Sequence, residues 1–235
     1  MKSFPIPVKN FLVQKLKISH KEALNLLSAK RVLINEKSAS LDQLIRIQDT
    51  VKVEDRLIKN QEKYLYIVYY KPRGIETTLN KEIDNNLADA INFPCRVFPV
   101  GRLDKESEGL LFLTNDGTIF NKISHGHQKQ EKEYLVHVNK PLSEEAILQM
   151  KEGIFILGKK TFPAKVEKLS EISFKIILTQ GLNKQIRRMC YKLNYEVTYL
   201  KRIRIMNIQL GNLLPGHWRD ISEEELTDLF SLLNL

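Results

Sequence analysis

The run Tyr64-Leu65-Tyr66-Ile67-Val68-Tyr69-Tyr70, stopped at Lys71-Pro72-Arg73-Gly74, commits most of this chain to one kind of fold. Aromatic and β-branched side chains suit a pleated surface, and Pro with Gly marks the turn that ends it, so a sheet opens here. Further β-rich segments at 97–100, 110–114, 133–138, 174–179, 196–200 and 203–210 supply its other strands. Helices are expected at 86–91, 143–152, 184–193 and 222–233, the last opened by a capping box of Ser222 and Glu225. Strands interrupted by single helices give an α+β fold, built on a mainly antiparallel mixed sheet with flanking helices. Tyr64, Tyr66 and Tyr69 read as strand core in preference to a stacking platform, and Trp218 reads as core.

The first sixty residues follow another pattern. Val8, Phe11, Leu12 and Leu16 keep helical spacing, and Ser19 with Glu22 caps a second helix running to about Ala29. Its apolar face is Ala23, Leu24, Leu26 and Leu27, while Lys21, Lys30 and Arg31 lie at its ends, within reach of a phosphate. A strand at 31–34, a turn at Asn35-Glu36 and short strands over 45–53 complete a small unit. Two helices followed by Val-Leu-Ile-Asn-Glu-Lys resemble the S4 RNA-binding domain, although His20-Lys21 and Glu36 stand where that family usually has a second Arg and a Gly. Such a helix pair recognises folded RNA by backbone shape and charge. The expected organisation is an S4-like domain over 1–60 and a larger domain over 61–235, joined by the short polar stretch 58–63, which suits a movable tether.

Charge supports an anionic partner. The chain of 235 residues carries +9, of which +6 falls in residues 1–60 and +3 in the remainder. A second basic cluster, Lys184, Arg187, Arg188, Lys192, Lys201, Arg202 and Arg204, is opposed by Glu196 alone. Two basic surfaces on one chain point to an extended polyanion such as RNA. No apolar run approaches the ~20 residues of a spanning helix, so no membrane partner is expected. Cys95 and Cys190 form neither a disulfide framework nor a CxxC pair, and a reduced, cytoplasmic setting is the expectation.

The stretch with the most chemistry is Gly101-Arg102-Leu103-Asp104-Lys105-Glu106-Ser107-Glu108-Gly109, followed at once by Leu110-Leu111-Phe112-Leu113-Thr114-Asn115-Asp116-Gly117. A glycine on either side of an Arg-Leu-Asp loop holds one carboxylate at a strand edge between cations. An Asp so placed, with a buried Arg as partner, stays ionised while partly desolvated, which suits a nucleophile. An Asp that merely caps the loop is the structural alternative.

This stretch resembles the motif Gly-Arg-Leu-Asp-x-x-Ser/Thr-x-Gly-Leu-Leu-x-Leu-Thr-Asn-Asp-Gly of the RsuA-type pseudouridine synthases. Lys71-Pro72-Arg73-Gly74, Lys132-Glu133-Tyr134, Gln180-Gly181-Leu182-Asn183-Lys184-Gln185-Ile186-Arg187-Arg188-Met189 and Gly216-His217-Trp218-Arg219-Asp220 fall in the family's order. Arg188-Met189-Cys190 and the run 204–207 are most similar to the RluF branch, whose target is large-subunit RNA.

The resemblance implies isomerisation of uridine in ribosomal RNA by a monomer, without metal or other cofactor, with a transfer RNA as an alternative substrate. It implies that Asp104 attacks C1′ or abstracts a sugar proton, that Arg187 pairs with Asp104, and that Tyr134 stacks on the extracted base. Arg102 is implied at the gap the base leaves, as base flipping requires, with Leu103, Lys105, Lys184, Gln185, Ile186 and Arg188 as further RNA contacts. Helical neighbours diverge by about 100°, so Arg187 facing Asp104 leaves Arg188 for phosphate. Ser107 replaces a more frequent Thr and keeps the hydroxyl, and Asn194 replaces a Gly at a left-handed cap. His125-Gly126-His127 reads as a solvent loop, with no third ligand in sequence. The rival readings are a paired-carboxylate hydrolase using Glu106 or Glu108, a non-catalytic RNA-binding factor, and an S4-linked methyltransferase, which lacks its Gly-rich nucleotide loop.

Overall fold

Ser19 closes its capping box with Glu22 in both directions and starts the helix His20–Ser28. The preceding helix, Val8–Leu16, ends where Lys17 turns left-handed at φ 56°. In this computed structural model, which describes residues 4–125 and 130–235, the chain divides into two compact units. The first holds everything up to Tyr66 together with Thr114–Lys122, and the second holds Ile67–Leu113 and Ile123–Leu235.

In the first unit Ile6, Val8, Phe11, Leu12, Ala23 and Leu27 pack on Val32, Ile34, Val51 and Val53 of a small antiparallel sheet. Leu24, expected on the buried face, is 39% exposed. The sheet order is Lys37–Ser38, Val32–Ile34, Val51–Val53, Arg56–Lys59. Two of its hairpins turn on paired left-handed residues, Asn35-Glu36 and Glu54-Asp55. Such turns match the twist of the strands they join. The stretch 58–63, expected to be a tether, begins inside a strand. Buried Lys59 donates to the carbonyls of Ile47, Asp49 and Asn60, and burial lowers its pKa. Asn115 then grips the chain on both sides of Tyr64, donating to Lys63 O at 3.0 Å and accepting from Leu65 N at 2.8 Å. Tyr66 donates its hydroxyl to Asp116 at 2.8 Å.

The second unit is built on a sheet ordered Lys165–Ser170, Ser173–Leu178, Lys132–Val138, Val197–Ile205, Glu108–Thr114, Tyr66–Lys71, Trp218–Asp220. Ser173–Leu178 pairs antiparallel with both Lys165–Ser170 and Lys132–Val138, Lys132–Val138 with Val197–Ile205, and Trp218–Asp220 with Tyr66–Lys71, whereas Val197–Ile205 runs parallel to Glu108–Thr114. The expected mixed, mainly antiparallel sheet is therefore present. Leu110 to Leu113 are all buried, as a central strand covered on both faces requires. Helices Glu144–Glu152 and Gln185–Lys192 cover one region of the sheet, the latter through Ile186, Met189 and Cys190 at i, i+3 and i+4. Burial pushes the Cys190 thiol up to about 12.

Three expectations need correction. The segments 196–200 and 203–210 divide elsewhere: Val197–Ile205 runs on through Lys201-Arg202, with Arg202 buried at 2% exposure, and Ile208–Gln209 is a second short strand turned back on its end. Trp218 is not core. It is 42% exposed on an edge strand opposite Tyr69, with its ring edge-on to Phe93 at 4.8 Å. Lys71, read as the start of the turn, is the fully buried last residue of the strand Tyr66–Lys71.

Candidate active site

The strand Phe98–Val100 pairs with Glu108–Thr114, and the connection between them carries Asp104. The carbonyls of this loop from Arg102 to Glu106 each accept a hydrogen bond. Arg202 Nη1 donates to Arg102 O at 3.3 Å, Thr77 Oγ1 donates to Leu103 O at 2.7 Å, and Ser107 N donates to Asp104 O at 3.0 Å. Gly74 N donates to Lys105 O and Arg187 Nη2 to Glu106 O, each at 2.8 Å. A loop tied at five successive carbonyls holds its side chains with little reorganisation, as a reacting carboxylate requires.

The glycines at its ends differ in purpose. Gly101, at φ +79°, has open space where a Cβ would stand. Gly109, at φ +106°, lies opposite Arg202 in the parallel pair, and a Cβ there would sit 2.2 Å from the carbonyl oxygen of Arg202. Gly109 therefore lets two strands meet at the base of the loop.

Arg202 organises what lies beyond. It faces Gly109 on one side and Tyr134 on the other, and a register shift between Glu133 and Tyr134 marks a bulge beside the site. Bulges re-aim side chains at such places. Asp104, Tyr134 and Arg202 line one cavity of about 490 Å³, together with Leu103, Leu178, Ile186 and Leu200 as apolar walls and Ser107, Lys132 and Lys184 as polar ones. That volume lies within the range of small-molecule sites. Arg202 Nε donates to Leu110 O at 2.8 Å, but its Nη2 is buried without a partner among the described residues, as is Ser107 Oγ. Both orphaned groups belong to residues of this cavity wall, where a ligand's acceptors would satisfy them.

The cavity is electropositive. Burial, with Arg202 nearby, pushes the Lys132 ammonium down to about 8. Burial does the same to Lys71, also to about 8, against the attraction of Glu76, Glu108 and Asp104. Glu106 pairs with Arg73 at 3.1 Å, and Glu108 accepts from the hydroxyls of Tyr70 and Tyr199. Neither glutamate lines the cavity, so the paired-carboxylate arrangement is not formed. Burial and Glu108 raise the pKa of both tyrosines, that of Tyr199 to about 12.

Asp104, Tyr134, Arg102, Leu103, Lys184, Gln185 and Ile186 are brought together around this cavity. Arg187 is not where the resemblance implied. Its Nη1 donates to Val197 O at 3.0 Å and its Nη2 to Glu106 O, and Asp104 forms no ion pair among the described residues. The helix Gln185–Lys192 turns Ile186 toward the cavity and sends Arg187 past the loop's far end, so its guanidinium braces backbone instead of carboxylate. Arg188 bonds Asn183 and, like Arg187, lines a different cavity. Lys105 is exposed and outside both cavities. Arg102 is exposed and reaches Glu76 at 3.4 Å.

In the first unit Lys21 and Lys30 are exposed, and Arg31 pairs with Glu54. The His125-Gly126-His127 stretch falls on residues whose side chains or backbone lie outside the described ones. Among the described residues no helix is long and apolar enough to cross a membrane.

Sequence reasoning missed Thr77, Lys71, Lys132 and Arg202 as site residues. For Arg202 a signal existed: at i+2 from Leu200 it stands on that apolar residue's face of the strand. For Lys132 it was the i, i+2 relation to Tyr134 on one strand.

Residues 65–192 match the RNA pseudouridylate synthase family. The chain is 45% identical to the dual-specificity RNA pseudouridine synthase RluF of Salmonella typhi, over 92% of this chain and 75% of that one. It is 30% identical to the ribosomal large subunit pseudouridine synthase B of Bacillus subtilis, over 91% of each. A crystal structure of a pseudouridylate synthase superposes with a TM-score of 0.67 at 26% identity, covering 94% of this chain and 98% of that one. Family match and relatives agree, and the chain belongs to the RNA pseudouridylate synthases, isomerases that convert uridine to pseudouridine.

Proposed function

We propose that this chain isomerises a uridine of large-subunit ribosomal RNA, with Asp104 as the reacting carboxylate. The observation that carries the reading is the tied loop that brings Asp104 into one cavity with Tyr134, Lys132 and Arg202. The names of the relatives from Salmonella typhi and Bacillus subtilis support RNA, and the second supports the large subunit.

The chemistry follows from the wall. In a covalent route an Asp104 oxygen bonds C1′ as the C1′–N1 bond breaks and its electron pair leaves on the uracil. The ring turns, C5 bonds C1′, the carboxylate departs with its pair, C5 gives up its proton and N1 gains one. In a glycal route Asp104 takes the C2′ proton as C1′–N1 breaks and returns it when C5 bonds C1′, after which C5 gives up its proton and N1 gains one as before. Both routes set free a uracil anion inside the protein. Lys132 and Arg202, neither paired with a carboxylate there, supply the preorganised positive charge that stabilises it. Tyr134 provides the face on which the turning ring stacks and a hydroxyl for proton transfer.

Lys21, Lys30 and Arg31 of the first unit would grip RNA backbone in S4 fashion, at opposite ends of one helix. The work would be done by a monomer in the cytoplasm, on ribosomal RNA, with a transfer RNA as an additional substrate. The test is carbodiimide labelling and primer extension on ribosomal RNA from cells lacking the enzyme, before and after incubation with purified protein. One new stop in large-subunit RNA is expected, and no stop in any RNA would favour a non-catalytic RNA-binding factor.

A further inference from the structure

The outward face of the helix Gln185–Lys192 carries features that the isomerisation site does not use. Tyr191 is 78% exposed, the highest value among the exposed large apolar side chains of the described residues. It lines a second cavity of about 920 Å³ with Lys184, Arg187, Arg188 and Lys192, and Glu196 is the carboxylate there. Arg188 and Lys192 stand at i and i+4, a like-charge pair that weakens a helix. Arg188 is bonded only to Asn183, and neither Lys184 nor Lys192 has an ion pair among the described residues. A bare aromatic ring among cations that repel one another gains nothing from folding. It gains from a ligand with both a flat face and regularly spaced negative charge, which is single-stranded nucleic acid.

Position identifies the strand. Lys184 lines both this groove and the cavity of Asp104, so a phosphate beside an everted uridine would pass Lys184 and lead its neighbours onto the helix face. From residue 184 to residue 191 the helix rises about 10 Å, a short reach for an RNA chain. We propose that this groove is a second RNA-binding site, in which Tyr191 stacks on an unpaired base flanking the target uridine while Lys184, Arg188 and Lys192 hold its phosphates. The inference rests on the reading that the chain acts on a uridine within RNA, and its test is a binding measurement that does not need turnover.

The probe is a fragment of large-subunit RNA around the uridine found by carbodiimide mapping, or, if mapping finds none, an unstructured oligouridine. Equilibrium binding is measured for wild type, Tyr191→Ala, Tyr191→Phe and Phe155→Ala, the last removing a 65% exposed ring elsewhere. Loss of one stacked base corresponds to a dissociation constant raised about 5- to 150-fold. Tyr191→Ala should show that rise, Tyr191→Phe should not, and Phe155→Ala should bind as wild type does. On the mapped fragment, an abasic residue at one flanking position should weaken wild type and leave Tyr191→Ala no weaker than before. The double variant Arg188→Ala, Lys192→Ala should lower the log-log salt slope by about 1.4, at roughly 0.7 for each single-strand contact. Wild-type affinity in folded Tyr191→Ala, or equal penalties at every abasic position, would overturn the site. Absence of turnover with these binding effects intact would instead sink the isomerase reading and leave the groove standing.

Discussion

Replacing Gly109 by alanine places a methyl 2.2 Å from Arg202 O, 2.8 Å from Arg202 N and 3.0 Å from Arg202 C. All three are backbone atoms, so no side chain can swing away and the strands must part. Forcing an alanine into φ +106° costs about 1–3 kcal/mol, and overpacking between fixed elements about 1–3 more. A total of about 2–6 kcal/mol would remove a large share of the ~5–15 kcal/mol that holds a domain folded. Gly101→Ala is the matched control. It carries the same kind of strain at φ +79° but meets nothing within 4 Å, so only about 1–2 kcal/mol is expected. Urea unfolding of both variants and wild type separates the two contributions. Single-turnover rates on RNA should fall with Gly109→Ala, since displacing the backbone of Arg202 displaces its bond to Arg102 O. If Gly109→Ala proves no less stable than Gly101→Ala, the close approach of these strands is not what the glycine serves.

Arg187→Ala removes two charge-assisted bonds to the carbonyls of Val197 and Glu106, so a loss of about 2–4 kcal/mol in unfolding free energy and a slower single turnover are expected; Arg187→Lys should recover little, since an ammonium cannot span both oxygens. Lys71, held near 8 by burial, has lost its proton in the native state between about pH 8 and 10 while the unfolded chain keeps it, so stability should rise with pH across that window. Denaturant titrations at pH 7.5 and 9.5 should show wild type gaining about 2 kcal/mol over Lys71→Met, a gain that ends above pH 10, where the raised tyrosine pKa values act in the opposite sense. Lys21→Ala with Lys30→Ala in the full chain should lower the log-log salt slope of RNA binding by roughly 0.7–0.9 per lost contact, and an unchanged slope would mean that these lysines do not touch the backbone.

What could be read from the chain was whatever depends on local chemistry. Ser19 with Glu22 and Ser222 with Glu225 form their boxes, Asn86 caps its short helix, and Asn194 adopts φ 64° where a left-handed residue was expected. The loop from Gly101 to Gly109 carries Asp104 into a cavity for the same reason, since flanking glycines and an apolar strand are contiguous in sequence. What escaped were choices made across the sheet. Arg202 reaches the loop only because parallel register sets it beside Gly109 and a bulge sets Tyr134 opposite, relations between residues about 70 to 90 positions apart. Arg187 was assigned to Asp104 by its place in a motif, yet a helix's rotation about its axis is fixed by what it buries, here Ile186, Met189 and Cys190. Strand Lys165–Ser170, with five of its six residues exposed, had too weak a pattern to be expected.

One variant tests whether the Asp104 carboxylate does the bond-making while its surroundings hold RNA and stabilise charge. Asp104→Asn is nearly isosteric and Asp104 has no ion pair to lose among the described residues, so folding and RNA affinity should stay close to wild type. Single-turnover assays with excess enzyme on unmodified large-subunit RNA should then give no carbodiimide stop at the position wild type modifies. Pseudouridine formed by the purified Asn variant at that position would contradict the account.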